Sequence, residues 1–279
     1  MNLETLEKEL KIRNYSQKTV KSYLFYNMKF LEFIKKSADE VRSIDIKIYL
    51  NYLKDRGLSG NAISHVVSAL KFYYEQVLGR KLFYGIRYPR REKKLPTVLT
   101  RDEIKKIIDA LKNRKHKLLI KIVYGSGLRV SEVVKLKISD LDLEQGIIHI
   151  KCSKRRKDRN TIIPKNLIEE LNCYIKSRKD DNSYLFPGMS KNEHLSVRSV
   201  QKIVKNATKL AGINKRVYVH ALRHSFATHL LEDGVDIKNI AELLGHNRLD
   251  TTLIYLHTST MHLKNIKSPL DNLFIKNQN

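Results

Sequence analysis

Apolar residues recur at three- and four-residue spacing through most of the first 85 positions, the spacing that lines one face of a helix. The runs predict helices over 3–12, 20–34, 44–53 and 63–78. Ser16, Ser43 and Ser59 stand at the heads of three of them, where a hydroxyl can accept a bond from an otherwise unpartnered backbone N–H. Gly57 and Gly79 supply stops. Four short amphipathic helices make a bundle, and Phe72-Tyr73-Tyr74 is expected in its core rather than on a base-stacking surface.

The pattern breaks at Tyr88-Pro89-Arg90-Arg91-Glu92-Lys93-Lys94-Leu95-Pro96, which has proline near both ends, basic residues between, and the character of a linker. Beyond it, Thr100 followed three residues later by Glu103 forms a capping box and predicts a helix start. Helical spacing returns over 118–124, 131–136, 167–175, 197–210 and 221–231, the last stopped by Gly234. Short β-branched runs at 141–143, 147–150 and 161–163 read as strands, with a turn at Glu144-Gln145-Gly146 between the first two. The organisation predicted is mainly α with a small β-sheet: a helical bundle over 1–88, a basic linker over 89–97, and an α+β domain over 98–279.

Charge adds a partner to this picture. The chain carries 54 Lys and Arg against 29 Asp and Glu, a formal net charge of +25, and cations exceed anions on both sides of Tyr88. Both domains are therefore expected to meet a polyanion, with DNA or RNA first, and the linker to cross its backbone. Two cysteines, Cys152 and Cys173, are too few for a disulfide framework or a zinc site and are expected as a loop and a core residue of a reduced protein. The mixed charge of Met1-Asn2-Leu3-Glu4 and the lack of a run of about 18 apolar residues lead to the expectation of a soluble, cytoplasmic protein without a membrane partner.

The chemistry-bearing residues cluster late in the chain. His220-Ala221-Leu222-Arg223-His224 precedes Leu244-Gly245-His246, and Thr251-Thr252-Leu253-Ile254-Tyr255 follows. Upstream stands Gly127-Leu128-Arg129-Val130-Ser131-Glu132, next to a predicted helix start. Charge grows on a phosphodiester as it becomes pentavalent, so a catalyst working without metal should aim guanidinium groups at its nonbridging oxygens. Arg129 and Arg223 are the candidates, with Tyr255 as an oxygen nucleophile. His220 or His246 suits a neutral hydrogen-bonding or general-base imidazole, whereas His229, His257 and His262 are expected in structural, surface or DNA-contacting places. His220 and His224 also have the i,i+4 spacing of metal ligands, but Ala221 stands where a zincin carries Glu, so no metal or other cofactor is expected. Asp140 and Asp142 read as strand edge rather than as a metal-dependent nuclease site. The run from Lys151 to Arg159 is a basic hairpin tip, mostly solvated charge, from which one Lys could protonate a leaving oxygen.

In this order the boxes at Arg129, Lys154, His220-Arg223, His246 and Tyr255 resemble those of the tyrosine recombinase, or phage integrase-like, family over most of residues 98–257. The first domain resembles the family's core-binding domain through pattern alone. The resemblance implies cutting and rejoining of double-stranded DNA at a specific site through a 3′-phosphotyrosine intermediate on Tyr255. Arg129 and Arg223 would clamp the phosphate, Lys154 would protonate the 5′-hydroxyl leaving group, His220 would be the acid/base imidazole, and His246 would donate to the phosphate. Ser153-Lys154-Arg155 departs from the Gly-Lys-Gly common in the family's hairpin, which leaves Lys151 and Lys157 as rival acids. At 279 residues the chain looks closest to compact Xer-type recombinases that resolve chromosome dimers, working as four protomers on two DNA sites. An integrase of a mobile element and a type IB topoisomerase-like enzyme are the alternatives. Leu273-Phe274-Ile275, after the Tyr255 segment, is expected to pack on a neighbouring protomer.

Overall fold

The computed structural model describes residues 3–86, 96–151, 158–246 and 250–256. Lys154 and Lys157, Cys152, residues 89–95 of the expected linker, His257, His262 and the Leu273-Phe274-Ile275 cluster lie outside these described residues. The chain divides into two compact units, Met1–Lys94 and Leu95–Asn279.

The first unit is built from α1 (Glu4–Ile12), α2 (Gln17–Ile34), α3 (Ser43–Asp55) and α4 (Gly60–Lys71), which continues as a π turn over Phe72–Val77. Ser16 and Ser59 cap as expected, their hydroxyls accepting from the Thr19 and Ala62 N–H groups at 3.1 and 3.3 Å. Ser43 does not cap. It is the first residue of α3, and its hydroxyl donates to the Leu82 carbonyl at 2.7 Å, while the Asp45 carboxylate takes the N–H of the preceding Arg42 at 2.8 Å. Phe72, Tyr73 and Tyr74 are all buried, in a core that also holds Phe30, Leu70 and Tyr49.

The second unit begins with α5 (Arg101–Asp109), headed by the Thr100 and Glu103 capping box. Then come α6 (Arg114–Gly125), α7 (Val130–Lys135), β1 (Leu141–Asp142), β2 (Ile147–Ile150), β3 (Arg159–Ile162), α8 (Lys165–Lys176), α9 (Val197–Leu210), α10 (Val219–Glu232), α11 (Ile237–Leu244) and α12 (Asp250–Leu253). The three strands form an antiparallel sheet in sequence order, with Ile148 opposite Leu141 on one side and Thr161 on the other. Thr161 and Ile163 face the core from β3 and its end, while Ile162 points outward, the period-two alternation of a half-buried strand.

Helix α10 is buried on nearly all sides, the signature of a central helix rather than a surface one. Leu222 joins the main core with Leu119, Ile122 and Leu185. Phe226 and Leu231 join a smaller cluster with Ile240, Leu244 and Tyr255. That arrangement fixes α11 and the Tyr255 segment against α10, and so places the motif residues of all three together. Cys173, expected in the core, is exposed on α8 and free. Its neighbours Leu167 and Leu171 take the inward positions of that helix instead.

Candidate active site

Arg129 is the N-cap residue of α7, but the helix start is not open to an external anion. The Arg129 N–H donates to Glu132 Oε2 at 2.8 Å, and Arg129 Nη1 donates to the other carboxylate oxygen at 2.7 Å. The same carboxylate receives a two-pronged guanidinium from Arg159 on β3, both contacts at 2.8 Å. Arg223 Nη1 stands 3.8 Å from it. Burial alone would raise the Glu132 carboxyl. The hydrogen bonds and charge of Arg159 and the bonds from Arg129 overcome that and hold it at about 2.

The three arginines have a second shared anchor at the end of α11. A helix leaves its last carbonyls unpartnered and partially negative. Here the Leu243 carbonyl accepts from Arg159 Nε at 2.9 Å, the Leu244 carbonyl from Arg223 Nη2 at 2.6 Å, and the Gly245 carbonyl from Arg129 Nη2 at 3.2 Å. Arg223 Nη1 also donates to the Gly127 carbonyl at 2.6 Å. Both glycines are required by shape. Each has a positive φ, and a Cβ would come 2.5 Å from the Phe226 ring at Gly127 or 2.5 Å from the Arg159 Cδ at Gly245.

Three guanidinium groups around one carboxylate leave a local excess of two positive charges. The side chains of Arg223 and Arg159 are about 5–6 % exposed, so solvent does little to offset it. Burial and Arg129 push the Arg223 guanidinium down to about 9, which leaves it a cation at neutral pH. The surrounding histidines answer the same field by staying neutral. Burial, then Arg223 and Arg129, lower His246 to about 4; burial, then His220 and Arg223, lower His224 to about 4. His220, exposed near the N-terminus of α10, is shifted down by burial of its inner side and by the same two arginines. An excess of buried positive charge, flanked by neutral imidazoles, is a site prepared for an oxyanion.

His246 follows α11 directly. Its Nε2 is 3.3 Å from Arg223 Nη2 and its Nδ1 is 2.9 Å from Thr252 Oγ1. A guanidinium can only donate, so Nε2 is the acceptor and Nδ1 carries the proton. Tyr255 sits in a turn after α12, its ring 2 % exposed among Phe226, Ile240 and Leu244. Burial raises its pKa against the opposing pull of Arg223 and Arg129. Its hydroxyl lies 3.1 Å from His224 Nδ1.

The structure thus brings Arg129, His220, Arg223, His246 and Tyr255 into one site. Sequence reasoning left Glu132, Arg159, His224 and Thr252 without roles. Arg159 was hidden in a charge run, yet it lies two residues before the buried Thr161 on the same strand and hence on its inward face. Lys151, at the other edge of the hairpin, is 3.2 Å from the buried Asp140 carboxylate. His229 is buried with its Nδ1 2.9 Å from the Tyr124 hydroxyl, a structural place. Among the described residues there is no group of three or more His, Cys, Asp or Glu side chains able to hold a metal ion, and no helix long and apolar enough to cross a membrane.

A model of the phage integrase family matches residues 97–262, and one described as the phage integrase N-terminal SAM-like domain matches residues 3–83. The chain is 39 % identical over 264 residues to the tyrosine recombinase XerA of Pyrococcus horikoshii, spanning 94 % of this chain and 90 % of that protein. It is 33 % identical to the tyrosine recombinase XerD of Oceanobacillus iheyensis, over 91 % and 92 % of the two chains. Among solved structures, the XerH site-specific recombinase bound to a palindromic difH substrate superposes with a TM-score of 0.74 at 26 % identity, covering 94 % of this chain and 82 % of that one.

Proposed function

This chain belongs to the phage integrase family and is a tyrosine recombinase, a DNA strand-transferring enzyme, and from that premise we propose that Tyr255 is its nucleophile and the arginine cluster its phosphate site. The observation that carries the reading is the excess of buried guanidinium charge beside a buried phenol, all fastened to α10 and the end of α11. DNA is the substrate that fits both this site and the net charge of +25. Relatives in the XerH structures are bound to difH sites.

The phenolic oxygen of Tyr255 attacks the scissile phosphorus, the phenolic proton passes to His220, and the bond from phosphorus to the 5′-oxygen breaks. Lys154 gives its proton to that oxygen. The nonbridging oxygens take N–H groups from Arg129 and Arg223. His246 becomes a donor only after the phosphate draws Arg223 Nη2 away from its Nε2 and that nitrogen takes a proton from solvent, favoured by the phosphate charge. Reversal with a new 5′-hydroxyl rejoins the strand. The engagement of Lys151 with Asp140 supports Lys154 over that rival. In the biological setting this becomes Xer-type site-specific recombination in the cytoplasm, four protomers on two DNA sites, serving chromosome dimer resolution. Similarity at 32 % identity to a putative integrase/recombinase of Sinorhizobium fredii keeps the integrase of a mobile element as the second reading.

Tyr255→Phe keeps the ring and removes only the oxygen, so it should bind nicked DNA with unchanged affinity and give no covalent complex on denaturing gels. A 3′-linked adduct in that variant would overturn the assignment. The nucleotide recovered on Tyr255 from the parent enzyme, with its flanking sequence, separates a chromosomal site from a mobile-element end. Lys154→Ala should cleave ordinary DNA poorly yet cleave a 5′-bridging phosphorothioate nearly as well as the parent, because a thiolate leaves without a proton. Rescue seen instead for Lys151→Ala or Lys157→Ala moves the acid role to that residue.

A further inference from the structure

The nucleophile's hydroxyl is met by a side chain outside the clamp and acid roles. His224 follows Arg223 on α10, one helical turn beyond His220, and its Nδ1 lies 3.1 Å from the Tyr255 hydroxyl, with ring centroids 5.7 Å apart. Packing against Phe226, Ile240 and Leu244 fixes where the Tyr255 ring sits. Packing does not aim a hydroxyl. The segment that carries Tyr255 is a single turn closed by its N–H donating to the Thr252 carbonyl at 3.0 Å, so the bond to α10 is what ties the oxygen to the helix that also bears Arg223.

We propose that His224 is a positioning residue for the Tyr255 nucleophile: its Nδ1 accepts the phenolic O–H and holds the oxygen beside the arginine cluster of the same protomer. The proposal rests on Tyr255 being the nucleophile. A neutral imidazole at that place suits a hydroxyl that is buried and needs an acceptor. Burial and the neighbouring His220 and Arg223 keep His224 neutral, at about 4, while burial raises the phenol above its ordinary 10. Proton transfer from the phenol to His224 is therefore strongly uphill. His224 accordingly orients the phenol without taking its proton. That task is left to His220, whose ring centroid is 6.4 Å from that of His224.

The test uses the full chain on a nicked DNA substrate, in single turnover, with DNA affinity and covalent attachment measured separately. His224→Phe fills the space and removes the acceptor. It should bind DNA like the parent and attach roughly 10- to 100-fold more slowly, the scale expected when a reacting atom is misplaced by about 1 Å. His224→Asn sets a carbonyl oxygen near the Nδ1 position and should recover most of the rate; His224→Gln sets it near Nε2 and should not. The Phe variant should also stay slow on a 5′-bridging phosphorothioate, since its defect is in the attacking atom. Should His224→Phe fail to fold, the contrast between Asn and Gln still decides. Equal rates for Asn and Gln, rescue by the sulfur substrate, or attachment faster than the parent would each overturn the positioning role. Attachment persisting in Tyr255→Phe would instead overturn the nucleophile reading, which keeps the two failures distinct.

Discussion

The two units bury different things. In the first, aromatic rings pack against one another: Phe30 lies 5.2 Å from Tyr49 and 6.1 Å from Tyr74, centroid to centroid, and Tyr15, Tyr23 and Phe72 form a second group. A buried polar group there serves packing, as when the Asn27 amide donates to the Tyr23 and Ala69 carbonyls and joins α2 to α4. In the second unit, α10 carries an almost wholly buried arginine, and the cluster around it is organised by direction and charge. Apolar burial scales with area and tolerates changes in detail, whereas buried charge depends on every partner being present. The helical bundle can thus diverge in residue identity while holding its shape. The catalytic unit cannot, because the groups that stabilise its anion site are also the ones that define it.

The sharpest way to break that contrast is to make size-conserving substitutions in both units. Glu132→Gln keeps volume but leaves three guanidinium groups around a neutral amide. Removing one partner of a buried charge cluster costs about 3–5 kcal/mol. We expect the calorimetric transition of the second unit to fall accordingly and covalent attachment to be lost. Leu70→Met, also size-conserving and in the fully buried core of the first unit, should cost less than about 1.5 kcal/mol and leave attachment intact. Equal losses from the two changes would mean that the carboxylate is not the organising centre described above.

Acid should separate the units in the same way, at smaller amplitude. His224 and His246 have folded values of about 4 against an ordinary 6.5, so they are neutral when folded and protonate first in the unfolded chain. Their stabilising contribution is complete above 6.5 and is lost as pH falls from there toward 4. Glu132, held at about 2 against 4.5, contributes fully above 4.5 and loses its share as pH falls below it. Between pH 6.5 and 4.5 the second unit should therefore lose on the order of 3 kcal/mol from its half-buried histidines, after solvent screening is allowed for. In the first unit, burial would raise Asp45, but its bonds and charge contacts with Lys36 and Arg42 hold it below 3.8, so its loss starts only at still lower pH. Calorimetry from pH 7 to 5 should show the second transition moving down while the first stays. Parallel shifts of both would remove the histidines as the cause.

What the sequence made legible follows the same division. Helix positions came from spacing and caps because both are local: Ser16, Ser59 and the Thr100 box act over three residues, and the 197–210 reading coincides with α9. That Arg129, His220, Arg223, His246 and Tyr255 come together was legible through the order of their motifs along the chain. The carboxylate that gathers the arginines was not, since Glu132 meets Arg159 from 27 positions away and a charge run gives no phase. Nor was α11, eight residues long, whose last carbonyls anchor the arginines while Ile240 and Leu244 pack on the Tyr255 ring. Ser43 misled because the neighbouring Asp45 offers a charged acceptor, leaving the hydroxyl free to bond Leu82. Backbone acceptors and long-range ion pairs leave no local periodicity to read.

The smallest expected effect tests whether this directional order extends to a single neutral bond. Thr252 is fully buried, and its Oγ1 takes the Nδ1 proton of His246, which leaves Nε2 facing Arg223. Thr252→Val keeps the shape and removes that acceptor, so the Nδ1 proton of His246 loses its partner while Arg223 still fixes the tautomer from the other side of the ring. The stability loss should be about 1 kcal/mol, the size of one neutral hydrogen bond, and confined to the second transition. Attachment should slow by only a few-fold, because the arginines keep their carbonyl and carboxylate anchors. Nitrogen-resolved NMR of the His246 ring should show Nδ1 protonated in both, as Arg223 requires, with the Nδ1 proton exchanging faster with solvent in the variant. Unchanged proton exchange with a slowed rate would place the effect of Thr252 on the Tyr255 turn, whose N–H donates to its carbonyl, rather than on the imidazole.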